Sequence, residues 1–582
     1  MPQMLQVFQQ ILVADEVEGA KQAFDVFETC LILETPLISK SLKEYVEICL
    51  VIAGKTDAEE DIRNAALNSL SWTIQYKKGK VQALGLAGII IERLLPIGCE
   101  EDHDDDDDDF PSKLAFRTLD ELAKALPPQQ VFPVLSAQLQ TYMASQNPAM
   151  RKSALMAFGV TVEGCSEFIR PHVAQLWHLI DSGLTDAEPS VRKAGCIALA
   201  CMCEWLQEEC AERHGHLVPA LFALVEDPNT QKSATAALEA YLEILGDNIA
   251  SYLTLLMEKF VGLLDTAPVG VKITVTGAIG SAAFASKEGF QPYFPETIRR
   301  IVPFLLLQGE GEESTLRGVA IDTLGTFAEV VGRDVFRPHL AELMQYAING
   351  LQSESARMKE SALMFFGTMA GVFEEEFAVY LPQTVPALIE SCKQSESDDQ
   401  FNDSEGKTDQ ATVQQALAAF NTGAGSGSVS LDEEEDDEDE YEDLDGLMNI
   451  NSEVAIEKEI SAEVLGQIFE ATREAFVPFL EESVNCLLRL LLHYYEGIRK
   501  AAVSSLFTTI KTYYEMSNPA DWSEGNQVIP FHQNVAQLVD LIMPAIMEMW
   551  ETEDDQYVSR LHILSKDSCS VPFPRPKRMM IP

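Results

Sequence analysis

Three groups of residues in this chain have types and spacings that could do chemistry. The first is Cys201, Cys203, Cys210, His214 and His216, the best soft-metal candidate in the sequence. A structural metal site needs about four such groups converging on one point. Cys201 and Cys203 stand two apart in a helical pattern and point to different faces. The cluster therefore reads as buried thiols, and no metal is expected. The second group is the run from Glu100 to Asp109, with nine acids among ten residues, in which Asp104, Asp105, Asp106, Asp107, Asp108 and Asp109 are consecutive. Carboxylates at this density attract basic ligands by charge alone. The third group emerges only on alignment. Counting twelve residues from a recurring basic position, Arg151, Arg192 and Arg317 lead to Glu163, Glu204 and Glu329, and Glu243 joins them with a shift of one.

These glutamates fall in the last turn of their helices, where a negative charge opposes the macrodipole and costs a few tenths to about 1 kcal/mol. Local stability does not explain the repetition. Carboxylates stacked on one face could take up Lys or Arg side chains of a bound segment. Alternatively, they pair with neighbouring basic residues or face solvent. Gln75, Phe284, Gly371 and Lys511 hold the position elsewhere, so the column is partial. Trp72, Trp177 and Trp205 lie in amphipathic patterns, where packing is the ordinary role, although Trp72 and Trp205 could reach a concave face. No Walker A loop, strand-bounded GxGxxG, HExxH or GxSxG occurs. No catalytic residue and no cofactor is expected, and the chain is read as not an enzyme.

The elements that must position these groups repeat. EDIRNAALNSL, PAMRKSALMAF, PSVRKAGCIAL, STLRGVAIDTL, ARMKESALMFF and EGIRKAAVSSL share one template, with weaker copies at NTQKSATAAL and VGVKITVTGAI. Their basic residues, Arg151, Arg192, Lys232, Lys272, Arg317 and Lys359, are spaced 41, 40, 40, 45 and 42 apart, and Arg499 follows after an insertion. A period of about 40 residues is that of HEAT repeats. Between markers lie leucine-rich second helices, such as IRPHVAQLWHLIDSGL and FRPHLAELMQYAINGL, so each unit is an antiparallel helical pair. About eleven such pairs are expected. One pair cannot bury its apolar stripes, and the pairs must stack. The fold class expected is all-α, a HEAT-repeat solenoid of the armadillo-like α-α superhelix type.

Composition bounds the partners. The 582 residues include 42 Lys+Arg against 92 Asp+Glu, a net charge of -50. More than half of that excess lies outside the two acidic runs, Glu100 to Asp109 and Asp432 to Asp445, so the folded body is acidic. Direct binding to nucleic acid or an anionic membrane is disfavoured. The 11 cysteines lack the spacing of a disulfide framework, which fits a reducing compartment. The N-terminus lacks the pattern of a signal peptide, no run is read as long enough for a membrane span, and a soluble monomer is expected.

HEAT repeats are assigned to 1–99, 111–394 and 452–554. An acidic loop occupies 100–110 within one hairpin, a Gly/Ser-rich acidic insertion 395–451, and a basic, proline-rich tail 555–582. Neither insertion can form a core. The longer one reads as a solvated loop, whereas the shorter is held against the repeat wall by the hairpin around it.

With repeats and acidic hairpin established, the sequence resembles the karyopherin-β (importin-β) family, most closely its importin-four subgroup, which includes a carrier of ribosomal proteins and histones. The resemblance covers roughly Met1 to Asp554. It rests on EEDHDDDDDDFPSKLAFRTLDELAKALPPQQVFPVL, RKSALMAFGVTVEGCSEFIRPH and SARMKESALMFFGTMAGVFEEEF. It implies a receptor that binds basic localisation signals of cargo proteins in the cytoplasm and crosses the nuclear pore by contacting Phe-Gly nucleoporins. Cargo is released in the nucleus when the small GTPase Ran binds. It also places Asp104 to Asp109 where the family carries an acidic loop that contacts basic cargo or Ran. Family arrays are longer and grip Ran with their first repeats, so a fragment lacking the first and last repeats is expected. The ending SRLHILSKDSCSVPFPRPKRMMIP, which has no HEAT periodicity, suggests an incomplete or alternative gene product. The competing reading is a HEAT scaffold of the phosphatase-regulatory type, without transport activity. Such scaffolds have more uniform repeats and lack acidic insertions.

Overall fold

The computed structural model describes residues 2–14, 17–32, 38–100, 110–353, 355–394, 452–493, 495–518 and 531–552. Every regular element among them is helical, and the chain divides into two compact units, Met1–Val331 and Gly332–Pro582. The expected HEAT-repeat architecture is present in each.

The Pro148–Ile169 helix shows how the template works. Pro148 occupies the first turn, where its missing N–H costs nothing. The Asn147 side chain accepts from the Ala149 N–H at 3.0 Å, capping the start. Leu155, Phe158, Val162, Cys165 and Ile169 then recur at helical spacing and are all buried. The 3-10 turn Arg170–His172, carrying Pro171, ends the helix. Burying each large side chain contributes about 1.5–3 kcal/mol, but only if a neighbouring helix supplies the other wall.

In the first unit the template-bearing helices, together with Pro111–Ala125, which lacks the clear template, supply that wall to one another. Glu60–Tyr76, Pro111–Ala125, Pro148–Ile169, Pro189–Trp205, Gln231–Ile244, Val269–Ser286 and Glu312–Val331 each pack on the next, forming one layer. Their companion helices form a second, more loosely joined layer. The first layer is tight enough to require glycine at one crossing. A Cβ on Gly164 would stand 2.2 Å from the carbonyl oxygen of Ala123, on the backbone of the preceding helix of the layer.

The basic marker is explained by the turn within each hairpin. Arg151 donates to both oxygens of Asp186 in the following repeat, at 2.7 and 2.8 Å, and to the Ser145 carbonyl of its own turn at 3.0 Å. Arg192 repeats the pattern on Asp227, and on the carbonyls of Asp186 and Ala187. Arg63 binds the Ala53 carbonyl and reaches Glu100 at 2.6 Å, while Arg317 takes the carbonyls of Leu307 and Gly309. Each arginine thus closes its own turn, and three of the four also tie it to the next. The Arg151 guanidinium holds the Asp186 carboxyl below the usual range. The stability this adds is present at neutral pH and is lost as pH falls through that depressed value. The lysine markers work differently: Lys272 lies over the Phe304 ring at 5.9 Å.

One expectation is corrected. Val269–Phe290 is long and apolar enough to cross a membrane, contrary to the reading that no run reaches that length. In the fold it packs between Gln231–Ile244 and Glu312–Val331, and half of the apolar stretch is buried inside the protein. A helix flanked on two sides within its layer needs apolar residues over a wider arc than an ordinary surface helix.

The second unit has the same construction. Ala356–Phe373 packs on Ser452–Thr472, which packs on Glu496–Met516. The stacking order therefore continues across 395–451, and Arg499 binds the His493 carbonyl of its own turn. Leu381–Lys393 and Val477–Leu490 are companion helices of consecutive hairpins. The segments 101–109, 395–451 and 553–582 lie outside the described residues.

Candidate peptide-binding groove

The C-terminal halves of Pro189–Trp205, Gln231–Ile244 and Val269–Ser286, with Thr326 of Glu312–Val331, line a groove of about 850 Å³ on the first unit. Small side chains form its lining where the helices approach: Ala200, Ala236, Ala240, Gly280 and Ser281. Glu204, Glu239 and Glu243 supply charge, and Phe284 supplies an aromatic surface that is 62% exposed.

The charges are poorly compensated. Glu239 is partly buried, and a Cβ on Gly277 would lie 2.2 Å from its Oε1, so glycine in the neighbouring helix makes room for the carboxylate. Burial, and then the adjacent Glu243 carboxylate, push the Glu239 carboxyl up to about 7. Glu243 is exposed and accepts one long hydrogen bond, 3.4 Å, from Ser281. Glu204 is exposed. Among the described residues no cation pairs with any of the three. Carboxylates held together without counter-charge strain against one another, and a lysine ammonium would relieve that repulsion.

Glu239 gives a measurable sign. Its folded value lies above the ordinary glutamate value of 4.5, so the neutral acid favours the fold. That contribution is present below about 4.5 and declines as pH rises through about 7. Glu239→Gln is therefore expected to stabilise the chain near pH 8 by about 1–2 kcal/mol, a figure reduced for its partial exposure, and to leave it unchanged near pH 4. Urea denaturation at the two pH values measures this.

The structure treats the aligned glutamates unequally. Glu204 and Glu243 share the groove. Glu163 receives Lys124 at 2.7 Å, a lysine that also holds Asp120 at 3.0 Å, so its charge is already answered within the layer. Glu329 is exposed one turn beyond Thr326 and does not line the groove. Asp104, Asp105, Asp106, Asp107, Asp108 and Asp109 lie outside the described residues. The acid that opens their run, Glu100, is the partner of the buried Arg63. Glu100 therefore stands at the end of the layer where template helices begin, and the groove lies toward the end where they finish.

Glu239 and Phe284 escaped the sequence reading. Two acids four apart, Glu239 and Glu243, repel on a helix surface without local benefit, and that was a usable signal. Phe284 occupies the column position of its own repeat, but was read there as a departure from the pattern.

The Cys–His group is dispersed. Cys203 and Cys210 are buried together, His214 meets the Tyr252 hydroxyl at 2.8 Å, and His216 meets Asp181 at 3.1 Å. Among the described residues no three His, Cys, Asp or Glu converge as a metal site. Trp177 packs under the Arg213 guanidinium at 4.7 Å, and Trp72 stacks on Tyr76. Trp205 is 41% exposed beside Glu204.

Over 564 residues the chain is 35% identical to the probable importin subunit beta-4 of Schizosaccharomyces pombe, a match covering 96% of this chain and 52% of that protein. The chain belongs to the importin-β (karyopherin) family. It is also 26% identical to human Importin-4 over 531 residues, covering 87% of this chain and 48% of that one. Residues 224–406 of this importin-β family member match the family described as "Importin subunit beta-1-like, TPR repeats", and residues 148–202 match "HEAT-like repeat". Its fold is shared with Kap121p. The structure bound to Pho4p superposes with a TM-score of 0.71 at 17% identity, covering 97% of this chain and 53% of that one. The structure bound to Nup53p gives 0.64 at 16% identity, covering 97% and 60%. The chain spans about half the length of the curated relatives it matches. These relatives are transport receptors rather than enzymes.

Proposed function

We propose that this chain is the part of a nuclear import receptor that holds a lysine-rich segment of a cargo protein, such as a histone or ribosomal protein, in the Glu204–Glu239–Glu243 groove. The observation that carries the reading is three carboxylates without cationic partners around a lining of small residues, with Phe284 exposed beside them. A lysine stem can lie along Phe284 and the alanines while its ammonium meets the acids. Glu163 and Glu329 flank the site, and the run Asp104 to Asp109 acts at longer range by drawing basic segments toward the layer. The solved Kap121p complexes with Pho4p and Nup53p support a binding role for this fold. Contact with Phe-Gly nucleoporins, release by Ran and shuttling between cytoplasm and nucleus belong to the same reading. A HEAT scaffold without transport activity gives no reason for uncompensated carboxylates in a groove.

The test is titration of the purified chain with a lysine-rich peptide at two salt concentrations, beside a variant with Asp104 to Asp109 replaced by serine. Binding is expected to weaken with salt, and the serine variant is expected to lose association rate more than residence time. Absence of binding at low salt would overturn the proposal and favour the scaffold.

A further inference from the structure

The helix Glu60–Tyr76, at the other end of the layer from the groove, carries an aromatic pair that the groove does not use. Trp72 and Tyr76, one turn apart, stack with ring centroids 5.5 Å apart and planes 16° from parallel. Trp72 is half-buried and Tyr76 is 42% exposed. Counted from Arg63, Tyr76 holds the position that exposed Trp205 holds after Arg192. The pair therefore stands in the C-terminal turns of its helix, at the place that Trp205 takes beside the groove.

Two side-chain hydrogen bonds fix what lies next to it. Arg117 donates to Asn68 Oδ1 at 2.5 Å, and the Ser71 and Thr118 hydroxyls meet at 3.0 Å, so Glu60–Tyr76 and Pro111–Ala125 run side by side in the same direction. One turn beyond Asn68 and Arg117, that register sets Glu121 beside Trp72. Glu121 is half-buried, and its Oε2 is covered and has no hydrogen-bond partner. The cations within a turn of it on its own helix are occupied. Lys124 lies between Asp120 at 3.0 Å and Glu163 at 2.7 Å, and Arg117 is held by Asn68. A carboxylate partly cut off from water and left unpaired attracts an arriving cation more strongly than a solvated one does.

This chemistry differs from that of the groove. A guanidinium can lay its flat face on an aromatic ring while its edge donates to a carboxylate, a geometry that an ammonium lacks. We propose that Trp72, Tyr76 and Glu121 form a second subsite, which takes an arginine of the same cargo segment whose lysines fill the groove. The inference rests on the groove reading for the lysine half of that segment. Packed helices stand about 8–10 Å apart, so the three to four steps from Glu60–Tyr76 to Pro189–Trp205 and Gln231–Ile244 span roughly 25–40 Å, or about 8–12 residues of extended chain. Between the two sites lies Glu163, whose charge Lys124 already answers, so the intervening residues need not be basic. The ligand is a two-part basic segment, with arginine at one end, lysine at the other and a spacer of that length.

The experiment titrates the full chain by calorimetry with a lysine-only peptide and with the same peptide carrying arginines about 10 residues from the lysines, on either side. A further peptide has the arginines directly adjacent to the lysines. The distant arginines, on the side that fits, are expected to raise affinity about tenfold over the lysine-only peptide, and replacing them by lysines should lose most of that gain. Tyr76→Ser and Glu121→Gln, whose folding is checked by circular dichroism, should each lose about threefold or more of the gain and leave the lysine-only affinity unchanged. An arginine-only peptide, titrated into the same variants, reads the subsite even where the lysine-only peptide does not bind, so failure of the groove and failure of the subsite are told apart. A gain that survives in both variants, or that is as large with adjacent arginines, would overturn the proposal.

Discussion

Glu204→Lys, Glu239→Lys and Glu243→Lys, made together, are expected to weaken binding of a lysine-rich peptide by about 100-fold or more. A hydrogen bond to a charged group contributes about 1.5–3 kcal/mol, and 1.4 kcal/mol is tenfold in affinity. Reversal also replaces attraction with repulsion at three points around one groove. The contrast is Glu163→Lys, which disturbs an ion pair with Lys124 inside the layer and should cost the peptide about threefold or less. Circular dichroism and calorimetric titration of both variants separate loss of the site from loss of the fold. Equal weakening by the two would mean that the peptide follows the overall negative field rather than the groove.

Gly164→Val is expected to be the most damaging single change to the fold, with a loss of about 3 kcal/mol or more. The obstruction is backbone. The nearest atoms to a Cβ at this position are the Ala123 carbonyl oxygen at 2.2 Å, its carbon at 2.3 Å and the Lys124 nitrogen at 2.6 Å. No rotamer change can clear them, so Pro148–Ile169 and Pro111–Ala125 must separate. In a stack stabilised by nearest-neighbour interfaces, opening one interface uncouples the repeats on either side. Gly215→Val is the control, because nothing lies within 4 Å of a Cβ there. Chemical denaturation followed by hydrogen exchange should show faster exchange in the two named helices and little change beyond them.

The fold was legible because its signals repeat. Each copy of the template combines an apolar stripe, a turn and a basic residue, and errors in one copy are corrected by the next. The role of Arg151 was not legible, because Asp186, 35 residues away, becomes its partner only after stacking. The groove was half legible for a related reason. Glu204 and Glu243 were found by counting along helices, yet whether a carboxylate is paired depends on the neighbouring helix. Lys124 neutralises Glu163 from a repeat that lacks the clear template, and Gly277 accommodates Glu239 from a repeat read as a weak copy. Phe284 was visible only as a break in the pattern of acids, although an exposed aromatic beside carboxylates suits the two halves of a lysine side chain. The length of Val269–Phe290 was missed rather than misleading, and packing on two sides within the layer explains why a core helix carries apolar residues over more of its circumference.

The central claim is that a bound lysine side chain reaches the carboxylates of the groove. Zero-length carbodiimide coupling of a lysine-rich peptide to the full chain, followed by digestion and mass spectrometry, joins an ammonium only to a carboxylate it touches. The account predicts linkages at Glu204, Glu239 or Glu243 that disappear at high salt. Linkages confined to Asp104 to Asp109 and the run at 432–445, with none in the groove, would contradict it.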